Sequence, residues 1–220
     1  MIDKKERHLI DTIIKDGMCV FDVGVNKGEW IGLVLGKYKN ISAHVFDPIP
    51  GILSAIAPGT QNKITKNSVA VSDVVGEKEF YVYEQITELS TIYRRGRDIE
   101  EQFHLAPRII KAPTCTLDEY CAERGVKAID FLKIDVEGAE LDVFHGAQEL
   151  LRSKRVANLQ FEYGGCNIDS KHTLLDMHFY LRSVGYDIYK MEEARVIPFN
   201  DFDLKMEDYQ LTNYYAKPGA

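Results

Sequence analysis

The residues best placed to do chemistry are acids that follow apolar runs. Phe131-Leu132-Lys133-Ile134 breaks into Asp135-Val136-Glu137-Gly138-Ala139-Glu140. Three carboxylates wrapped around a glycine can hold a cation or take a proton from a substrate. A second step of this kind is Asp22-Val23-Gly24-Val25-Asn26-Lys27-Gly28. Gly24 permits a tight turn and close approach of a ligand to the backbone. Gly28 opens a helix whose free N–H groups favour carboxylate or phosphate oxygens. The acid ahead of Gly24 would repel a pyrophosphate, and it suits a cationic ligand group. Asp47 follows the next apolar run, where nucleotide-binding α/β folds place the acid that grips a ribose diol. Glu162 ends a further run. If its strand neighbours the one ending at Asp135, both carboxylates face one crevice. There they suit Mg2+, or one of them serves as general base.

These acids need strands to carry them and turns to expose them. Residues 5–17 read as a helix with Leu9, Ile10, Ile13 and Ile14 on one face and Gly17 as its stop. Residues 18–23 form a strand that enters the glycine turn, and a helix over 28–38 follows. Strand 42–46 ends at Asp47-Pro48, and residues 64–71 make a third strand. Val75-Gly76 then turns the chain into Phe80-Tyr81-Val82-Tyr83, the pattern of an antiparallel hairpin. Residues 84–107 are polar and irregular, an inserted loop that suits a lid. An extended segment, 109–115, precedes a helix over 117–124, capped by Thr116 and stopped by Gly125. The acidic stretch then leads into a helix over 139–153. Strand 156–161, helix 173–184, paired strands 186–191 and 195–199, and a last strand over 211–216 complete the order. Alternating strands and helices imply a parallel sheet covered on both faces, with an antiparallel edge at the end. The whole of 1–220 reads as a single domain.

The composition narrows the function further. Lys plus Arg is 27 and Asp plus Glu is 34, for a formal charge of −7. An acidic domain argues against nucleic acid as the main partner. No apolar run approaches the roughly 20 residues needed to span a bilayer. The N-terminus lacks the apolar core of a signal peptide, which points to the cytoplasm. Cys19, Cys115, Cys121 and Cys166 form no CxxC pair and read as reduced thiols. Lys133, inside an apolar strand, needs a carboxylate partner. Glu140 suits capping of the following helix, while Glu137 remains a crevice candidate. His145 reads as a surface residue and His178 as a core-edge residue. His104 and His172 lie near loops that could supply a base. The cluster Arg94, Arg95 and Arg97 suits either a solvated loop or a phosphate- or sugar-binding one.

Lys133-Ile134-Asp135-Val136-Glu137-Gly138-Ala139-Glu140 resembles the signature of the FkbM family of S-adenosylmethionine-dependent O-methyltransferases. Phe21-Asp22-Val23-Gly24 with Asn26 and Gly28, Phe46-Asp47-Pro48, Ala70-Val71-Ser72-Asp73 with Gly76, Thr116-Leu117-Asp118 and Phe161-Glu162-Tyr163 agree in order. The family commonly has Glu where Asp47 stands. The resemblance implies a doubly wound, Rossmann-like class I methyltransferase sheet of order 3-2-1-4-5-7-6. Its last strand is antiparallel, and the hairpin and loop at 76–107 are insertions. It also implies methyl transfer from S-adenosylmethionine to a hydroxyl oxygen, with a sugar or glycosylated metabolite as the expected small-molecule or glycan acceptor. Asp22, Gly24, Asn26 and Gly28 then serve the methionine end, Asp47 the ribose, and Ala70, Val71 and Ser72 the adenine. Asp135 faces both cofactor and acceptor, and Asp135 with Glu162 is the expected catalytic pair and Mg2+ site. A phenol, lipid or nitrogen acceptor is the rival reading, and a non-catalytic partner subunit is another. The glycine spacing places a dinucleotide oxidoreductase last. A homo-oligomer stays open.

Overall fold

The computed structural model describes residues 2–57 and 61–219. Its strands are β1 (Cys19–Val23), β2 (Ser42–Phe46), β3 (Lys63–Asn67), β4 (Ala70–Val71), β5 (Gly76–Val82) and β6 (Arg108–Cys115), then β7 (Phe131–Ile134), β8 (Leu159–Tyr163), β9 (Tyr186–Glu192), β10 (Arg195–Pro198) and β11 (Thr212–Pro218). Its helices are α1 (Lys4–Ile13), α2 (Glu29–Lys37), α3 (Arg97–Gln102), α4 (Leu117–Arg124), α5 (Glu140–Gly146), α6 (Gln148–Arg152), α7 (Cys166–Ser170) and α8 (Leu174–Ser183).

The main sheet runs β10-β9-β11-β8-β7-β1-β2-β3. Strands β3, β2, β1, β7 and β8 are mutually parallel. β11 runs antiparallel between β8 and β9, and β10 pairs antiparallel with β9. Without β10 and the three strands of the smaller sheet, this is the expected 3-2-1-4-5-7-6 order. The sheet is buried on both faces because successive side chains alternate between two cores. Phe21, Val23, Leu132, Ile134 and Phe161 pack with Phe144, Leu151, Met177 and Leu181 on one side. Val20 and Phe131 pack with Ile10, Ile31 and Val34 on the other.

The structure corrects four local expectations. The partner of β5 is β6, not the 64–71 segment. The chain leaves the main sheet after Asn67, whose side-chain amide donates to the carbonyls of Val45 and Thr65. β4 then joins β6 and β5 in a separate three-stranded sheet. Residues 84–107 are not simply irregular, because Thr91 bridges to Tyr81 and α3 forms. The helix expected over 139–153 breaks at Ala147 into α5 and α6. Gly146 lies so close to the Ser72 loop that a Cβ would come within 2.0 Å of the Ser72 carbonyl oxygen. The Asp118 carboxylate accepts from the N–H groups of Glu149 and Leu150, so α6 has a cap of its own. Finally, α7 forms after Gly165, between the expected strand 156–161 and helix 173–184.

Candidate functional site

The site forms where β1, β2 and β7 end, beside the point between β1 and β7 where the strand order reverses. Gly24 has φ +82, and a Cβ there would lie 1.8 Å from the Asp135 carbonyl oxygen. Only glycine lets the loop after β1 touch the loop after β7. The N–H groups of Gly24 and Val25 both donate to the Phe46 carbonyl, so the loops after β1, β2 and β7 are fastened together.

Asp47 is the polar centre of this fastening. One carboxylate oxygen accepts from the Asn26 N–H at 2.9 Å and the other from the Ile49 N–H at 2.9 Å. Burial pushes its pKa up to about 6, held back by those two amides. Gly24, Asn26, Asp47, Ala70, Val71 and Asp135 all line one cleft. Phe46, Ile49, Phe80 and Ile92 give it an apolar wall. An apolar cleft with a few placed polar groups is the usual form of a small-ligand site.

Not every expected residue reaches this cleft. Ser72 is fully buried behind it, and its hydroxyl accepts from Lys78 Nζ at 2.7 Å and donates to Asp73. Gly28 starts α2 with φ +73 and packs under Ile56. Asp22 is fully buried beneath the cleft, 3.8 Å from Lys133 Nζ, and neither of its oxygens has a hydrogen-bond partner among the described residues. Burial pushes the Asp22 pKa up to about 7 despite that lysine. Lys133 bonds Asp135 at 2.9 Å. Burial opposes its charge, but Asp135, Asp22 and Glu6 outweigh burial and hold its pKa above the ordinary lysine range.

Asp135 and Glu162 come together as expected, with one addition. β7 and β8 are neighbours, and Asp135, Glu137 and Glu162 each place an oxygen within 4.8 Å of the others. Glu137 adopts φ +57, an unusual conformation outside glycine, and this aims it toward the other two. Burial, reinforced by Asp135 and opposed by Arg95, pushes its pKa up to about 8. Burial and the neighbouring Asp135, Glu137 and Glu140 push Glu162 well above the carboxylate range. Carboxylates this close do not all ionise without a proton or cation among them.

Glu140 recedes from the cluster. It is fully buried, accepts from the N–H groups of Val136 and Gly138, and so holds the turn itself. Arg95 is the residue that sequence reasoning undervalued. Its side chain is 3% exposed and pairs with Glu137 at 2.5 Å and Asp169 at 3.8 Å. It belongs to a strap, residues 84–107, that is tied down around the cleft. Thr87 donates to the Asn26 side chain, Thr91 to the Val136 carbonyl and Tyr93 to Asp142. Among the histidines, His172 meets the Gly138 carbonyl at 3.2 Å, whereas His178 is buried against Phe199.

The "Methyltransferase FkbM domain" family matches residues 22–188. The chain belongs to this family. Its match runs from the buried acid of β1 into β9 and includes every carboxylate of the cluster. Two relatives are the 2-O-methyltransferase NoeI of Sinorhizobium fredii and the 31-O-demethyl-FK506 methyltransferase FkbM of Streptomyces tacrolimicus. The first is 27% identical over 161 residues, covering 69% of this chain and 66% of NoeI. The second is 27% identical over 167 residues, covering 65% of this chain and 64% of that protein. The chain thus matches just under two thirds of the length of each. Among solved structures, a TehB-like S-adenosylmethionine-dependent methyltransferase from Corynebacterium glutamicum superposes with a TM-score of 0.51 at 11% identity. That superposition covers 99% of this chain and 89% of the other, and it establishes a shared fold.

Proposed function

We propose that this FkbM-family chain acts as one catalytic domain that transfers a methyl group from S-adenosylmethionine to a hydroxyl oxygen of a sugar or glycosylated metabolite. The observation that carries the reading is a cleft that opens onto a carboxylate cluster, with Asp135 and Glu137 belonging to both. The names of both relatives describe O-methylation, which supports oxygen as the nucleophile.

Bound in the cleft, the cofactor would supply an electrophilic methyl carbon on a positively charged sulfur. Asp47 has a lone pair to spare on each oxygen after serving Asn26 and Ile49, which suits two ribose hydroxyls. Ala70 and Val71 offer a flat apolar floor for adenine. The backbone at Gly24 and the side chain of Asn26 would hold the methionine end, and Asp135 would supply negative charge toward the sulfonium. An acceptor hydroxyl would give up its proton on methylation. Asp135, Glu137 and Glu162 form the base that takes this proton, and raised carboxylate pKa values bring such a base nearer neutral pH. Alignment of nucleophile, carbon and leaving sulfur contributes the rest.

The same three oxygens favour a second reading. A set of hard carboxylate donors fits Mg2+, which would lower the pKa of a coordinated hydroxyl. Asp135, Glu137 and Glu162 would hold it, with Arg95 yielding part of its hold on Glu137.

Calorimetry with S-adenosylhomocysteine, followed by labelled methyl transfer to sugars, phenols and amines, tests the proposal. Binding and methylation of hydroxyls are expected, with Asp47→Ala weakening binding about 10- to 100-fold through the loss of charge-assisted hydrogen bonds. Absence of cofactor binding would sink the enzyme reading. Turnover unchanged by EDTA would remove the metal alone.

A further inference from the structure

A second cleft, of about 440 Å3, lies on the far side of Glu137 from the first. Glu137 is the one residue that lines both among the described residues. One wall is the strap, with Leu89, Gly96 and Ile99, and the other is α7 and the loop before β11, with Ile168 and Leu211. The two walls are joined at the floor. Asp169 of α7 accepts from the Gly96 N–H at 2.9 Å and pairs with Arg95.

The chemistry of this cleft is divided. Arg95, the one cation among the residues that line it, is taken up by Glu137, Asp169 and the Leu89 carbonyl. No positive charge is left there for an anionic ligand to match. Its rim is apolar and open, with Ile168 59% and Leu211 69% exposed and Ile99 also exposed. Three separate segments bring these side chains to one opening. Gly164 makes room for one of them, since a Cβ there would come within 3.2 Å of Leu211 Cδ1. Single exposed apolar residues are ordinary, but a group of them around a cleft marks a binding surface.

We infer that this cleft holds the aliphatic chain of a non-anionic, hydroxylated amphiphile whose hydroxyl-bearing end reaches Glu137. The inference deepens the methyl-transfer reading and rests on it for the role of that hydroxyl. The occupant is a small molecule, because the cleft is continuous with the carboxylate cluster through one side chain and is closed at its floor. It is not an anion, because Arg95 is already committed to two carboxylates and the chain is acidic overall. Burial of methylene groups against Ile99, Ile168 and Leu211 then supplies affinity that a free sugar lacks.

The test uses the full chain saturated with S-adenosylhomocysteine and titrated with methyl, hexyl and octyl β-D-glucopyranosides below their micelle concentrations. Affinity is expected to rise at least tenfold from methyl to octyl. Ile168→Asn and Leu211→Asn should each remove most of that gain and leave S-adenosylhomocysteine affinity unchanged, since neither residue lines the first cleft. Phe179→Asn and Leu204→Asn, exposed apolar positions outside the cleft, should change nothing. An affinity that is flat along the series, or a gain that survives both cleft variants, overturns the inference. Failure of S-adenosylhomocysteine to bind while the chain-length gain persists would sink the methyl-transfer reading and leave the amphiphile cleft standing.

Discussion

The two ends of the crevice are built on opposite principles. At the Gly24 and Asp47 end, backbone amides do the work and polar groups are matched. Each oxygen of Asp47 has an amide, and loops touch because a glycine permits it. At the Asp135, Glu137 and Glu162 end, like charges are crowded together and held by Lys133 and Arg95. The first arrangement is rigid and suits recognition of one fixed ligand. The second stores electrostatic tension that a proton, a cation or a reacting hydroxyl can relieve. Recognition and reactivity are thus separated within a single crevice.

The largest expected effect strikes the matched end. Gly24→Ala places a methyl group inside the Asp135 carbonyl and forces a positive φ on alanine. Loops must separate, so S-adenosylhomocysteine affinity should fall more than 100-fold, with a lower melting temperature. Near-normal binding of this variant would show that the loop contact is dispensable.

The crowded end should respond next to loss of its cation. Arg95→Met removes the partner of Glu137 and of Asp169 while keeping apolar bulk. Breaking a buried pair from one side costs about 3 kcal/mol, read as denaturant stability. Glu137→Gln in the same background should restore part of it, because the uncompensated charge is gone. If the double variant is no more stable than Arg95→Met, crowding is not the dominant strain.

The pH dependence gives a smaller effect of defined sign. Glu137 has its folded pKa raised to about 8 from an ordinary value of 4.5. The folded state therefore binds this proton more tightly than the unfolded chain does. Its contribution to stability is full below about pH 4.5 and is lost as pH rises through about 8. Asp22 and Glu140, both raised to about 7, act in the same direction. Melting temperature should decline from pH 5 to pH 8, and Glu137→Gln should flatten part of that decline. A rise with pH would contradict the crowded arrangement.

The smallest effect belongs to the surface tie of the strap. Lys27 pairs with Glu88 in an exposed contact. Lys27→Ala should leave the melting temperature within about 1 °C and cofactor affinity within about twofold. A large loss would mean that the strap depends on this contact rather than on its buried ties at Thr91 and Arg95.

Much of this division is written in the sequence. Apolar runs ending in Asp47 and Asp135 place the ends of β2 and β7, because a strand buried on both faces is largely apolar until it emerges, while Asp22 and Glu162 each lie one residue inside the ends of β1 and β8. The local stretch around Asp135 carries the family, and the pairing of β7 with β8 follows from the family's strand order. Other features have no local signature. The pairing of β5 with β6 spans the whole strap, and hydrophobic alternation reports a face without naming a partner. Helix periodicity continues through Gly146, so only its contact with Ser72 reveals the break before α6.

The same limit applies to charge. Composition counts Arg95 among ordinary cations of a polar loop, and Asp22 among glycine-turn acids that could face a ligand. Tertiary structure buries Arg95 against Glu137 and sinks Asp22 beside Lys133, because charge placement depends on the field of neighbours distant in the chain. Sequence alone determined the parallel strands that carry Asp22, Asp47, Asp135 and Glu162 and the family they belong to. Only the folded chain decided which acids crowd together and which cation restrains them. Hydrophobic burial is a local property repeated along a strand, whereas electrostatic coupling arises from distances that the fold creates.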